Sequence, residues 1–333
     1  MAFKIDSLAT AILAAIATTL TIGIPQPSLS NASEASHPLE TEYSDRWKLI
    51  NSRQQQPQQP LPTPNFQATN IPDSKDGAIF SAIITQAQQN NWQQQDFSSI
   101  IQQVSEQLLG SEYVAGLLDK SATETLVISL QKFDCMLFLE SVLAIARNIT
   151  SQDRDPYDYN QFTQNVAEQR YANGELTDYC SRLHYFSHWI DENQQRGLVT
   201  NITADIGGVT EARKLDFMTQ HRTSYNQLKS NDANYDCIAK VEQNLNQLPF
   251  SYIPTENITT VYDQLKPGDL IGIATKIKGL DFTHTGLVYR DRDGNTGLIH
   301  ASPAGSVVIA QDLQTYVANV PQARGIVVAR ASY

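Results

Sequence analysis

The pattern of apolar and polar positions along this chain changes character several times. An apolar run from Leu8 to Ile24 follows Lys4 and is stopped by Pro25 and Pro27. Residues 36–75 are polar and rich in Pro and Gln, too poor in apolar surface to offset the cost of ordering. Folded sequence begins near Ile79 with two helical segments. In the second, Phe97, Ile100, Ile101, Val104 and Leu108 recur at helical spacing and Gly110 ends the pattern. A short apolar run, Leu126 to Leu130, leads to Phe133-Asp134-Cys135. Phe138, Leu139, Val142, Leu143 and Ile145 then predict a buried helix. From about 155 to 260 the chain is mixed and aromatic-rich, with faint helical patterns at Phe162 to Gln169 and Ala239 to Leu248. The tail reads as strands: Leu270 to Ala274, Thr285 to Tyr289, Leu298 to Ala301, Val307 to Ala310 and Ile326 to Ala329. Helices first and strands later describe an α+β chain whose helices pack on a mainly antiparallel sheet.

Small residues at Ser30-Asn31-Ala32 and Ser33-Glu34-Ala35 suit a signal peptidase. We read 1–35 as a signal peptide, 36–75 as a disordered tether and 76–333 as the working domain, exported to the periplasm, the cell wall or the medium. The alternative is an uncleaved membrane anchor, but the run is short and Thr-rich for a span of about 20 apolar residues. Beyond the leader, no stable membrane partner is expected. The net charge of −11, with no Lys/Arg run, excludes a nucleic-acid surface. The 333 residues, 41% hydrophobic, suffice for one large core or two modest ones.

Three cysteines, Cys135, Cys180 and Cys237, leave at least one thiol free in an oxidising compartment. Cys180 and Cys237 are available to pair, though no spacing rule requires it. Cys135 follows Asp134, a good N-cap, and opens the apolar helix. The helix dipole and first-turn N–H groups there are expected to lower the thiol pKa, and the same N–H groups suit an oxyanion. A buried structural cysteine is the plainer alternative.

Of the six histidines, His37 lies in the tether, His221 in a featureless stretch, and His188 reads as a surface or packing residue. His184 and His188 have metal-ligand spacing without a carboxylate partner, and neither a metal nor a cofactor is expected. His284 and His300 flank the loop Arg290-Asp291-Arg292-Asp293-Gly294-Asn295, with Arg292 midway between them. In a hairpin without a bulge they face each other directly, with Cβ atoms about 5 Å apart. One imidazole then takes the thiol proton and the other orients it, a Cys-His-His triad following the logic of papain-like enzymes.

These residues resemble the NlpC superfamily of papain-like cell-wall hydrolases. The motifs are Asp134-Cys135, His284-Thr285-Gly286-Leu287-Val288-Tyr289 and Leu298-Ile299-His300-Ala301-Ser302. Further landmarks are similar to the N-acetylmuramoyl-L-alanine amidase-like family: Leu109 to Gly116, Ser181 to Tyr185, Trp189-Ile190, Lys266-Pro267-Gly268-Asp269 and Gly279-Leu280-Asp281. The resemblance covers 79–330 and implies a papain-like fold. It implies Cys135 as nucleophile, His284 as general base and then acid, and His300 as orienter. Tyr113, Asp134, Arg182, His184, Tyr185 and Ser302 are the implied oxyanion or substrate-binding residues. Among these, Tyr113 assists the Cys135 N–H, and Arg182 suits a stem-peptide carboxylate or, alternatively, an ion pair with Asp178 or Asp191. The implied partner is peptidoglycan or its muropeptides, cut at the N-acetylmuramoyl–L-alanine amide. The alternatives are an endopeptidase cutting between D-glutamate and the diamino acid, and a non-catalytic wall-binding module. Met136-Leu137-Phe138 and Glu112 depart from the family pattern, which usually has small or hydroxyl residues after the cysteine and a proline at the position of Glu112.

Overall fold

The computed structural model describes residues 74–151, 156 and 158–333. The leader and most of the tether lie outside them. Helix α1 (Ser74–Gln89) takes in the last two tether positions and starts ahead of Ile79. In α2 (Phe97–Glu106), Asp96 caps the first turn, and Ile100, Ile101 and Val104 are buried as the spacing predicts. A short parallel pair, β1 (Glu112–Tyr113) with β2 (Lys132–Phe133), precedes α3 (Cys135–Thr150). Twelve of the sixteen residues of α3 are buried, so protein surrounds it on nearly every side. Its neighbours include α2, α4 (Tyr159–Arg170) and one face of the sheet.

The middle holds α5 (Phe186–Gln195), β3 (Val199–Asn201), β4 (Val209–Glu211), α6 (Phe217–Gln220), α7 (Asn226–Lys229), α8 (Asp232–Leu245) and β5 (Phe250–Pro254). A 3₁₀ stretch, Thr255–Gln264, leads to β6 (Leu270–Thr275), β7 (Phe282–Arg290), β8 (Thr296–Ala301) and β9 (Val307–Ala310). α9 (Leu313–Ala318) and β10 (Ala323–Ala331) close the chain. Among the described residues one sheet runs β4-β5-β10-β6-β7-β8-β9, with β3 also on β10. All its pairings are antiparallel, as the α+β reading expects.

β6 and β8 are buried at every position, so their apolar runs do not alternate with polar residues. Leu270, Leu287, Ile299 and Val327 meet the helical layer containing α3. Ile271, Ile273, Val288 and Leu298 point the other way, onto Val261 and onto Leu313 and Val317 of α9. Cys180 and Cys237 are paired, with Cα atoms 6.2 Å apart, tying the segment before α5 to α8. Cys135 is the free thiol.

Candidate active site

Asp134 is extended at the N-cap of α3, and its Oδ1 accepts the Leu137 N–H at 2.8 Å. That satisfies one open N–H of the first turn and fixes where the helix starts. Asp134 thus acts as a cap in the cleft wall, and burial raises its pKa. Cys135, half-buried, opens the helix at a cleft of about 360 Å³. The β1–β2 pair sets Tyr113 level with Phe133, which brings Tyr113 into the same wall. Of the departing residues after the cysteine, Leu137 and Phe138 are fully buried in the core, and only Met136 lines the cleft.

The thiol differs from the sequence expectation. Burial, then the neighbouring Asp134 carboxylate, pushes Cys135 up to about 11, against hydrogen bonds with Thr285 that favour the thiolate. The expected lowering assumed a hydrated helix end. Here desolvation outweighs the hydrogen bonds that favour the thiolate, so the thiol is uncharged at neutral pH.

His284 arrives on a bulge. β6 pairs Ile273 with His284 but Ala274 with Phe282, which makes Thr283 the extra residue. Phe282, Thr283, His284 and Thr285 consequently line the cleft in succession, where a regular strand would turn alternate side chains away.

The β7–β8 register also corrects the expectation. Leu287 pairs with Ile299 and Arg290 with Thr296, so the hairpin centres on Asp293 and not on Arg292. The cause is the 291–295 loop: Asp291 Oδ1 accepts the N–H groups of Asp293 at 2.9 Å and Asn295 at 2.8 Å. Gly294 supplies the left-handed position at φ 86°. His284 and His300 are therefore diagonal neighbours and not direct opposites. They still share a face, because the offset between expected and observed register is even.

Extending the register sets Gly286 across from His300, and a Cβ on Gly286 would stand 2.9 Å from His300 Cβ. With that position bare, His284 Nε2 and His300 Nδ1 come within 2.7 Å, the rings nearly perpendicular at 84°. Burial, reinforced by His300, holds His284 down to about 3, and burial holds His300 down to about 4. Both are neutral at pH 7. With Nε2 of His284 engaged by His300, Nδ1 is the remaining ring nitrogen of a residue that lines the cleft. His300 stands behind His284, outside the cleft lining. Tyr316 of α9 packs on it, its ring centroid 4.6 Å away and its hydroxyl 3.5 Å from Nδ1. Neither Thr285 nor Tyr316 was singled out by sequence, although Thr285 occupies the variable position of the His-x-Gly motif.

Arg182, His184 and Tyr185 do line the cleft, but each already has a partner within the protein. Arg182 is buried and pairs with Asp119 at 2.6 Å and Glu124 at 3.2 Å, in place of Asp178 or Asp191. Asp178 instead caps the turn at Cys180 and Ser181, and Asp191 accepts from Gln195. His184 Nε2 meets the Tyr179 carbonyl at 2.8 Å, and burial keeps the ring neutral. The Tyr185 hydroxyl donates to Glu242 at 2.6 Å. Ser302 is not brought to the cleft. Its Oγ accepts the Ala304 N–H at 3.2 Å in the turn between β8 and β9.

The frame and its cleft define an α+β protein that gathers one free thiol and a buried imidazole pair at one end of the sheet. A family model described as AmiA-like, N-acetylmuramoyl-L-alanine amidase-like, matches residues 103–326. The chain belongs to this amidase-like family of cell-wall hydrolases. An N-acetylmuramoyl-L-alanine amidase from Bacteroides uniformis is similar in structure at 27% identity and a TM-score of 0.66, covering 71% of this chain and 99% of its own. A candidate xylanase from Bacteroides fragilis is similar at 31% identity and a TM-score of 0.61, over 68% and 99%. A Legionella pneumophila protein at 19% identity and a TM-score of 0.57, over 78% and 95%, shares the fold. No curated protein matches the chain.

Proposed function

We propose that this chain is an exported cysteine amidase that hydrolyses the N-acetylmuramoyl–L-alanine amide of peptidoglycan or muropeptides. The observation carrying this reading is the 2.7 Å contact between His284 and His300 beside a cleft that also holds the free Cys135. In this mechanism His284 Nδ1 takes the thiol proton as Sγ bonds to the lactyl carbonyl carbon. The Cys135 N–H and the Tyr113 hydroxyl receive the oxyanion. His284 then returns the proton to the L-alanine nitrogen as the C–N bond breaks, leaving a muramoyl thioester that water hydrolyses. Burial of the pair suits this sequence, since the charges appear only once the proton has moved. Xylan cleavage would instead call for two free carboxyl groups flanking a glycosidic bond, whereas Asp119, Asp134, Glu140 and Asp281 of the cleft are bonded to Arg182, the Leu137 N–H, Arg170 and Ser187.

The test is digestion of defined muropeptides by the full chain and by Cys135→Ala, with product masses read out. The expected products are free saccharide and intact stem peptide, and a loss of at least about 10³-fold in rate for the variant. Shortened stems would assign the endopeptidase instead. No products from either protein would favour the wall-binding module.

A further inference from the structure

Between them, the two imidazoles leave one question of chemistry open. His284 Nε2 and His300 Nδ1 share a single hydrogen, and which atom owns it decides whether His284 can serve as a base. If His284 donates from Nε2, its Nδ1 is bare and ready for the thiol proton. If His300 donates from Nδ1, neutral His284 carries its own hydrogen on Nδ1 and cannot accept another there. Two neutral imidazoles alone give no strong preference between these arrangements.

The third side chain at this point is Tyr316. Its hydroxyl lies 3.5 Å from His300 Nδ1, the same nitrogen that His284 approaches, and its ring lies 4.6 Å from the His300 ring and 6.4 Å from that of His284. The hydroxyl can donate to Nδ1 only in the form of His300 in which that nitrogen is bare, and a phenol is a better donor than a neutral imidazole N–H.

Tyr316 is held in place from its own helix. Asp312 caps α9 by accepting the Thr315 N–H at 2.7 Å. The Tyr262 hydroxyl donates to Asp312 at 2.9 Å and accepts the Gln314 N–H at 2.8 Å. Leu313 and Val317, to either side of Tyr316, are buried against the sheet. The phenol is thus presented from a short helix anchored at its start, outside the cleft lining.

We infer that Tyr316 is a positioning residue that selects the Nε2–H form of both His300 and His284, keeping His284 Nδ1 free for the Cys135 proton. The inference deepens the proposed mechanism and rests on that reading for its catalytic consequence, but the proton arrangement itself is independent of any substrate.

The experiment uses the full chain with ring-¹⁵N histidine, unmodified and as Tyr316→Phe, which keeps the ring and removes the hydroxyl. Long-range proton–nitrogen spectra report which ring nitrogen is protonated. The expected result is a bare Nδ1 on both His284 and His300 in the unmodified protein, and a mixture including Nδ1-protonated His300 in the variant. On muropeptide, kcat should fall about threefold to tenfold with KM unchanged, the size of one lost weak hydrogen bond. Identical spectra in the two proteins, or Nδ1-protonated His300 in the unmodified one, would overturn the inference. A changed spectrum in a chain inactive on muropeptide would uphold it and remove the amidase reading instead.

Discussion

Two groups of residues in one cleft, around Cys135 and around Arg182, are built on opposite principles. Around Cys135, polar atoms are buried with one partner each and one function left over: the thiol by Thr285, His284 by His300. Around Arg182 the side chains already have partners within the protein: Arg182 is ion-paired with Asp119 and Glu124, Tyr185 bonds to Glu242, and His184 meets a carbonyl. In the proposed mechanism the first group changes its charge state during the reaction. The second keeps its own. Shared position on one cleft does not by itself make a residue a ligand for substrate; an unspent donor or acceptor does.

The contrast is most exposed to failure at Arg182. Arg182→Ala leaves Glu124, 3% exposed, without its cation, and should cost about 3–5 kcal/mol in denaturant unfolding. Asp119→Ala should cost less than about 1 kcal/mol, since that carboxylate is half exposed. An Arg182→Ala protein of unchanged stability but raised KM would return Arg182 to the role of carboxylate receptor.

Around Cys135 the sharpest probe is Gly286→Ala. Its Cβ meets His300 Cβ at 2.9 Å and the Ile299 carbonyl at 3.0 Å, and overpacking of this kind costs about 1–3 kcal/mol. We expect kcat to fall while KM holds, because the diagonal contact is displaced and the cleft floor is not. Unchanged kcat would mean that the bare position does not serve the histidine pair.

A further effect is on stability in acid. His284 and His300 sit near 3 and 4 when folded and near about 6.5 when unfolded, so the unfolded chain binds more protons across that window. Their contribution is complete above pH 6.5 and is lost as the pH falls toward 4. Buried Glu124, Asp134 and Glu140, whose pKa values are raised, act in the opposite direction. Comparing melts at pH 7 and pH 4.5 with those of His284→Asn/His300→Asn isolates the pair. The double variant should lose less stability on acidification than the unmodified chain, and an equal loss would show that the two rings are not held neutral by the fold.

What the sequence revealed follows the same division. The buried helix after Cys135, the late strands and the shared face of the two histidines all come from local period and spacing, and all appear in the structure. The exact facing of His284 and His300 does not, because Asp291 recentres the hairpin through backbone bonds that composition does not announce. The thiol pKa was misjudged for a related reason: the helix start is legible, but the burial around it comes from distant elements. Arg182 was read from type and motif, whereas its partners lie in a loop some sixty residues earlier. The middle strands β3 to β5 are short pieces completed by β10 and by each other, with too few residues to display a period. Tyr316 belongs to a six-residue helix and had no motif to mark it.

The most direct test of the account is to catch the bond to Cys135. The full chain is mixed with a defined muropeptide, quenched in acid within the first turnovers, and the Cys135 peptide is weighed. The expected mass is that of the peptide carrying a muramoyl group as a thioester, absent in Cys135→Ala. A stem dipeptide on the same sulfur would keep the thiol and reassign the bond it cuts. Continued product release with Cys135 never modified, or undiminished in Cys135→Ala, would contradict the account.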